Sequence, residues 1–133
     1  MQPPVYFSRT YDETLDLMVE ARNYLAWSDR MPRRQLDGMA SLRMCCEAMR
    51  VTSRLAQVMA WLLAQRAVHE GEITQEQALS DQWRLSGGEI CLDESFGEDA
   101  ALPNGLRSLM DRSYRLYVRV ARLEEMMMRR VLH

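Results

Sequence analysis

The sequence contains no lysine, and all 17 of its basic residues are arginines, set against 19 acidic residues for a formal charge of −2. A dedicated nucleic-acid-binding domain is expected to be strongly basic, so this balance argues against that class. Arginine-only basic content is typical of codon usage in a GC-rich bacterial genome. It also suits interface ion pairs, because the guanidinium is planar and stays charged.

Cysteine and histidine are also scarce. Three cysteines, of which Cys45 and Cys46 are adjacent, cannot form a disulfide framework, and this favours a reducing cytoplasm. Neither His69 nor His133 has a cysteine or a Ser/Asp pair at a spacing typical of a metal site or a catalytic triad. We therefore expect no enzyme activity: no catalytic residues, no metal and no cofactor.

Long apolar runs and targeting signals are missing. The most apolar run, Leu55 to Leu63, is interrupted by Gln57 and falls short of the ~20 residues that a membrane span needs. The N-terminus lacks the basic and apolar regions of a signal peptide. With 133 residues, of which 47% are hydrophobic, the chain is expected to form one soluble domain, at residues 1–133, with no membrane partner.

What the sequence does contain is helical periodicity, and no segment alternates with period two. Capping signals at Ser8 and Pro103, a stop at Gly71, and the Thr74/Gln77 capping box set the predicted bounds. These are helices at about 9–28, 36–70 and 104–131, a short helix at about 75–80, and a long acidic loop at 81–103. The predicted fold is all-α, an antiparallel three-helix bundle.

The second helix carries two apolar stripes on opposite faces. At about 100° per residue, one stripe contains Leu42, Cys46, Met49, Ala56, Ala60 and Leu63, and the other contains Ala48, Val51, Leu55, Val58 and Leu62. A helix that is apolar on two sides must be covered twice, by neighbouring helices or by a second subunit. This pattern predicts a protein-binding scaffold that forms a homodimer.

A polar strip containing one aromatic residue lies between these stripes. We call it the Trp61 strip, formed by Glu47, Arg50, Arg54, Gln57, Trp61 and Gln65. A tryptophan among arginines is typical of interface anchors, so Trp61, Arg50 and Arg54 are candidate protein-binding residues. The alternative is that the first helix or the loop covers Trp61.

The third helix carries four arginines spaced three, four and three apart. This arginine ridge consists of Arg112, Arg115, Arg119 and Arg122, and we predict that it binds an acidic protein surface. One alternative is a solvated face stabilised by pairs such as Asp111 with Arg115. A rival function is a small helical DNA-associated transcriptional regulator that uses the ridge. The eleven methionines, including Met126 to Met128, fit either an adaptable binding surface or plain core filling.

Two long segments of the chain resemble a known family. CCEAMRVTSRLAQVMAWLLAQRAVHEGEIT and ALPNGLRSLMDRSYRLYVRVARLEEM closely resemble the RcdA family of alphaproteobacteria, the regulators of CtrA degradation, and the resemblance spans roughly Tyr11 to Met126. It implies a cytoplasmic, non-catalytic three-helix bundle that dimerises. Family members can carry a flexible C-terminal extension, and we do not expect the residues up to His133 to include one.

The resemblance also implies a role and a set of partners. Family members are adaptors for regulated proteolysis in the cell cycle, and they assist delivery of the response regulator CtrA and other cargo to the ClpXP protease. They act with a receiver-domain protein that primes the ClpX unfoldase and with a cyclic-di-GMP-binding co-adaptor. Recruitment to a cell pole is a further expectation.

Overall fold

A computed structural model describes residues 5–30, 38–92 and 102–132, and those ranges contain helices and connections without a strand. The helices are α1 (Val5–Arg30), α2 (Gly38–His69), α3 (Gln75–Ala78), α4 (Gly88–Cys91) and α5 (Asn104–Leu132). The prediction of an all-α protein is confirmed. Of the predicted elements, residues 36 and 37 of the second helix and 93–101 of the loop lie outside the described residues.

The three long helices α1, α2 and α5 pack against one another pairwise. Their inward faces follow the three-four spacing of the sequence, and the main core residues include Leu17, Val51, Leu55, Val58, Leu62, Leu106, Leu109, Leu116 and Val120. Two threonines of α1 also lie inside. The buried hydroxyl of Thr14 donates to the carbonyl oxygen of Thr10 at 2.7 Å, which satisfies it without a partner from another helix.

Helix directions differ from the predicted antiparallel arrangement in one respect. Glu20 and Glu13 of α1 pair with Arg112 and Arg119 of α5, so α1 and α5 run in opposite directions. Near the middle of α2, Arg54 contacts Met110, while Gln57 and Tyr117 both bond to Ser86. Residues further along α2 therefore lie beside residues further along α5, so the two helices run in the same direction. The long connection between them allows the chain to return along α2 before α5 begins.

The turn after α2 forms as its sequence indicates. Gly71 adopts a φ of +78°, which a residue with a side chain rarely adopts, and its N–H donates to the carbonyl of Val68 at 3.0 Å. Thr74 then caps α3 through the predicted capping box. Its side chain accepts from the N–H of Gln77 at 3.0 Å, and the Gln77 side chain accepts from the N–H of Thr74 at 2.8 Å.

The predicted loop at 81–103 contains a helix that the sequence did not indicate. Gly87, with a φ of +76°, precedes the single turn of α4 at Gly88–Cys91. The approach to α4 is held by α5, since the Leu85 N–H donates to the Glu124 carboxylate at 2.7 Å and the Tyr117 hydroxyl donates to the Ser86 carbonyl at 2.9 Å. The acidic residues at 93–99 lie outside the described residues.

Candidate protein-binding surfaces

Trp61 lies in the interior, and the expectation that it projects outward is wrong. Its side chain is 1% exposed, and the ring of Phe7 from α1 packs edge-on against it with centroids 5.6 Å apart. Gln65, one turn further along α2, is buried as well. Within the part of the chain that the structure describes, the Trp61 indole N–H and the Gln65 amide nitrogen have no hydrogen-bond partner. The first helix packs over Trp61, as the alternative interpretation held.

Arg54 is also buried, at 2% exposed, so the second predicted contact residue cannot meet a partner in this conformation. Its Nε donates to the Cys91 carbonyl at 2.7 Å, and its Nη1 donates to the Met110 carbonyl at 2.9 Å and the Ser113 hydroxyl at 3.3 Å. The guanidinium also lies 5.3 Å from the ring centroid of Tyr114. Five donors in a rigid fork allow one arginine to satisfy acceptors from α4 and α5 at once.

Arg50 and Glu47 complete the inner side of the same strip. The Arg50 Nε donates to the Ile90 carbonyl at 2.9 Å, and its guanidinium pairs with the buried carboxylate of Glu47 three residues earlier. Arg50 and Arg54 therefore hold the last two carbonyls of α4, where the unsatisfied C=O groups of a helix end favour a positive charge. Most of the Trp61 strip is a seam between helices rather than an outer surface.

The arginine ridge remains at the surface, but half of it is paired with α1. Arg112 forms two hydrogen bonds with Glu20, at 2.7 and 2.5 Å, and Arg119 pairs with Glu13. The hydrogen bond to Arg112 lowers the pKa of Glu20 and raises that of Arg112. Arg115 pairs with Asp111 at 3.3 Å, within α5, and Arg122 is exposed. As a row of cations for DNA, the ridge is largely neutralised, and its protein-binding role stays a prediction.

The paired glutamates had a signal in the sequence. Glu13 and Glu20 are two helical turns apart on α1, and Arg119 and Arg112 are separated by the same interval on α5. Seven residues bring side chains back to the same face of a helix. Matching intervals of opposite charge on two amphipathic helices therefore indicate the interhelical ion pairs that the structure contains.

One face of α2 is apolar and open to solvent. We call it the outer stripe: Leu42, Cys46, Met49, Ala56, Ala60 and Leu63, every member of which is exposed. Met49 is 68% exposed, more than any other large apolar side chain among the described residues. The opposite stripe is in the core. Of the two apolar faces predicted from the sequence, the described residues cover one.

The buried thiol of Cys91 lies next to the hydroxyl of Tyr117. Burial raises the pKa of the Cys91 thiol, and burial together with Cys91 and Glu124 raises the pKa of Tyr117 to about 12. Both groups stay protonated at neutral pH, unlike an activated nucleophile. Within the described ranges no cluster of three or more His, Cys, Asp or Glu side chains could hold a metal ion, and no helix is long and apolar enough to span a membrane.

Comparison with known proteins identifies the family of this chain. A family model described as a protein of unknown function (DUF1465) matches residues 2–133. The crystal structure of RcdA from Caulobacter crescentus CB15 matches with a TM-score of 0.69 and 38% sequence identity, over 91% of this chain and 89% of that chain. The chain belongs to the RcdA family. The family resemblance read from the sequence is thus confirmed, while no curated protein matches.

Proposed function

We propose that this chain is a non-catalytic adaptor that assists ClpXP-dependent proteolysis of a CtrA-like response regulator and related cargo. The observation that carries the proposal is the match to RcdA at 38% identity over nearly the whole of both chains. The geometry supports a binding role for two reasons. Several buried polar side chains form hydrogen bonds between helices, and many large apolar side chains remain exposed at the surface.

The outer stripe of α2 is the surface that we assign to a second copy of the chain. The stripe extends about 32 Å from Leu42 to Leu63 at 1.5 Å per residue. Two copies of α2 paired antiparallel about the middle of the stripe place Leu42 beside Leu63 of the partner subunit and Met49 beside Ala56 of the partner subunit. At the two ends of the interface, leucine then faces leucine. Near the centre, a large methionine faces a small alanine, as a two-fold interface allows.

Family membership also supports the remaining partners that we propose. They are the ClpX unfoldase primed by a receiver-domain protein, the cargo itself, and a cyclic-di-GMP-binding co-adaptor. The proposed location is the cytoplasm, with recruitment to a cell pole. Arg115 and Arg122, the half of the arginine ridge that does not pair with α1, are the part of it that we propose for an acidic partner surface.

Reconstituted proteolysis tests the adaptor role. ClpXP, the receiver-domain protein and a CtrA-like cargo are mixed with and without this chain, and loss of cargo is followed over time. We expect faster loss only when the chain is present, together with the receiver protein. A cargo that ClpXP degrades without any adaptor serves as the control, and its rate should not change.

Surface variants connect that result to the structure. Arg115→Glu and Arg122→Glu reverse exposed charges, and among the described residues the only ion pair of either arginine is the surface pair of Arg115 with Asp111. If delivery uses the ridge, the double variant slows cargo loss while its helical circular dichroism and unfolding midpoint match wild type. Cargo loss that is the same with and without the folded wild-type chain would refute the adaptor proposal.

A further inference from the structure

A groove with an apolar floor and a basic rim separates the start of α1 from the end of α5. Its volume is about 670 Å³, within the roughly 300–1,000 Å³ typical of ligand pockets. The floor is formed by Leu123, Met126 and Met127, and the rim by Arg9, Arg119 and Arg130. Leu123 and Met127 also pack against the core, so the floor belongs to the folded structure.

The interhelical ion pairs end at the edge of this groove, where Glu13 and Arg119 belong to its lining. Glu20–Arg112 and Glu13–Arg119 hold α1 to α5 along one stretch. Two further arginines line the groove, Arg9 on α1 and Arg130 on α5. Neither has a carboxylate partner among the described residues. The single glutamate in the lining is already paired with Arg119. With three arginines and one glutamate, the described lining of the groove has a formal charge of +2, in a chain whose overall charge is −2.

We propose that this α1–α5 groove binds an acidic amphipathic helix of a partner protein, with its apolar side on the methionines and its carboxylates on Arg9 and Arg130. Charge complementarity selects the sign of the partner. The apolar floor favours an amphipathic helix as the partner. Methionine side chains adapt to varied apolar surfaces, and a groove between two helices can accommodate a third helix. A nucleic acid fits less well, since the described lining offers no aromatic ring on which a base could stack.

This inference goes beyond the proposed role in proteolysis and does not depend on it. The groove is on the α1–α5 side of the molecule, formed by residues separate from the outer stripe of α2. A chain that failed to accelerate any cargo could still bind such a helix, and loss of peptide binding would leave the adaptor proposal untouched. The two ideas can therefore fail separately.

The test uses designed peptides of about 14 residues and the full-length chain. The first peptide carries Leu and Met at helical three-four spacing and Glu elsewhere. A second has Lys in place of Glu, and a third has Ser in place of Leu and Met. Binding is followed by fluorescence anisotropy at low salt, where charge attraction is least screened. We expect saturable binding of the first peptide only.

Paired variants assign the binding to the groove. Arg130→Glu should weaken binding of the acidic peptide about tenfold, the loss of roughly one charge-assisted contact. Arg129→Glu makes the same charge change one residue away, at a side chain outside the lining that pairs with Glu125, and should stay within about twofold. Met126→Gln should weaken binding, whereas Ile90→Gln, an exposed apolar residue of α4, should not.

Four outcomes overturn the proposal. The acidic peptide shows no binding up to about 1 mM, the lysine peptide binds equally well, Arg130→Glu and Arg129→Glu weaken binding equally, or unlabelled duplex DNA displaces the peptide and binds more tightly. The last outcome would reassign the groove to nucleic acid.

Discussion

The Nε of Arg54 lies 2.7 Å from the carbonyl oxygen of Cys91, which is separated from it by 37 positions along the chain. Because the same guanidinium also donates to the carbonyl of Met110, one charged side chain of α2 bonds to both α4 and α5. Buried acceptors left without donors cost about 1–3 kcal/mol each. The contact therefore has a measurable energetic consequence.

Replacing Arg54 with methionine removes the donors to Cys91 and Met110 while keeping much of the side-chain volume. We expect a loss of roughly 2–5 kcal/mol in the free energy of unfolding, measured by guanidinium denaturation. Arg115→Met is the matched control, since that side chain is 77% exposed and its pair with Asp111 contributes at most about 1 kcal/mol. Equal effects of the two substitutions would contradict the role assigned to Arg54.

The Glu20–Arg112 pair should couple α1 to α5 in a pH-dependent way. Because the folded pKa of Glu20 is below its ordinary value of 4.5, its stabilisation is complete above that value and is lost as pH falls through the folded pKa. A double-mutant cycle with Glu20→Gln and Arg112→Gln should give about 0.5–1 kcal/mol at pH 7, a range set by solvent exposure. The coupling should vanish near pH 2. A coupling that persisted there would show that charge is not its source.

Charge in the outer stripe should separate two copies of the chain. Met49→Asp places a carboxylate at its most exposed position, where the proposed two-fold pairing would bury it. Sedimentation equilibrium should give a dimer for wild type and a monomer of about 15.5 kDa for the variant. Ile90→Asp, at an exposed apolar residue on α4, is the control and should remain dimeric. A monomeric wild type would eliminate this interface.

Gly105, near the start of α5, should not tolerate a side chain. A Cβ there would lie 2.5 Å from Cε2 of Tyr24, whose ring packs beside Trp27 with centroids 5.8 Å apart. We expect Gly105→Ala to cost about 1–3 kcal/mol and to change Trp27 fluorescence as the tyrosine moves. Gly38→Ala at the start of α2 has open space and should be neutral or stabilising by up to about 1 kcal/mol. An equally harmless Gly105→Ala would refute the close packing.

The long helices could be predicted from the sequence because each is amphipathic over many turns. The seam of Leu106, Leu109 and Leu116 in α5 and the stripe of Val51, Leu55 and Val58 in α2 are both in the core. The short helix α4 could not be found in this way. One turn that begins at the second of two glycines has no periodicity, and its carbonyl groups accept hydrogen bonds from Arg50 and Arg54 of another helix.

The error over the Trp61 strip has the same origin. Polar residues between two apolar stripes normally face water, and this is why Arg54 and Trp61 were expected outside. The acceptors that satisfy Arg54 are at residues 91, 110 and 113, so no local pattern contains them. The outer stripe, by contrast, was visible as an apolar face. What the sequence could not indicate is which of the two faces of α2 the chain itself would cover.

The outer stripe lies opposite the core on the same helix, so the proposed dimer would link the stability of the chain to its concentration. A second copy that covers the stripe recognises only the folded chain, so association shifts the folding equilibrium by mass action. The melting temperature of the protein would then rise with its own concentration, and a dilute solution of the protein would unfold at a lower temperature than a concentrated one.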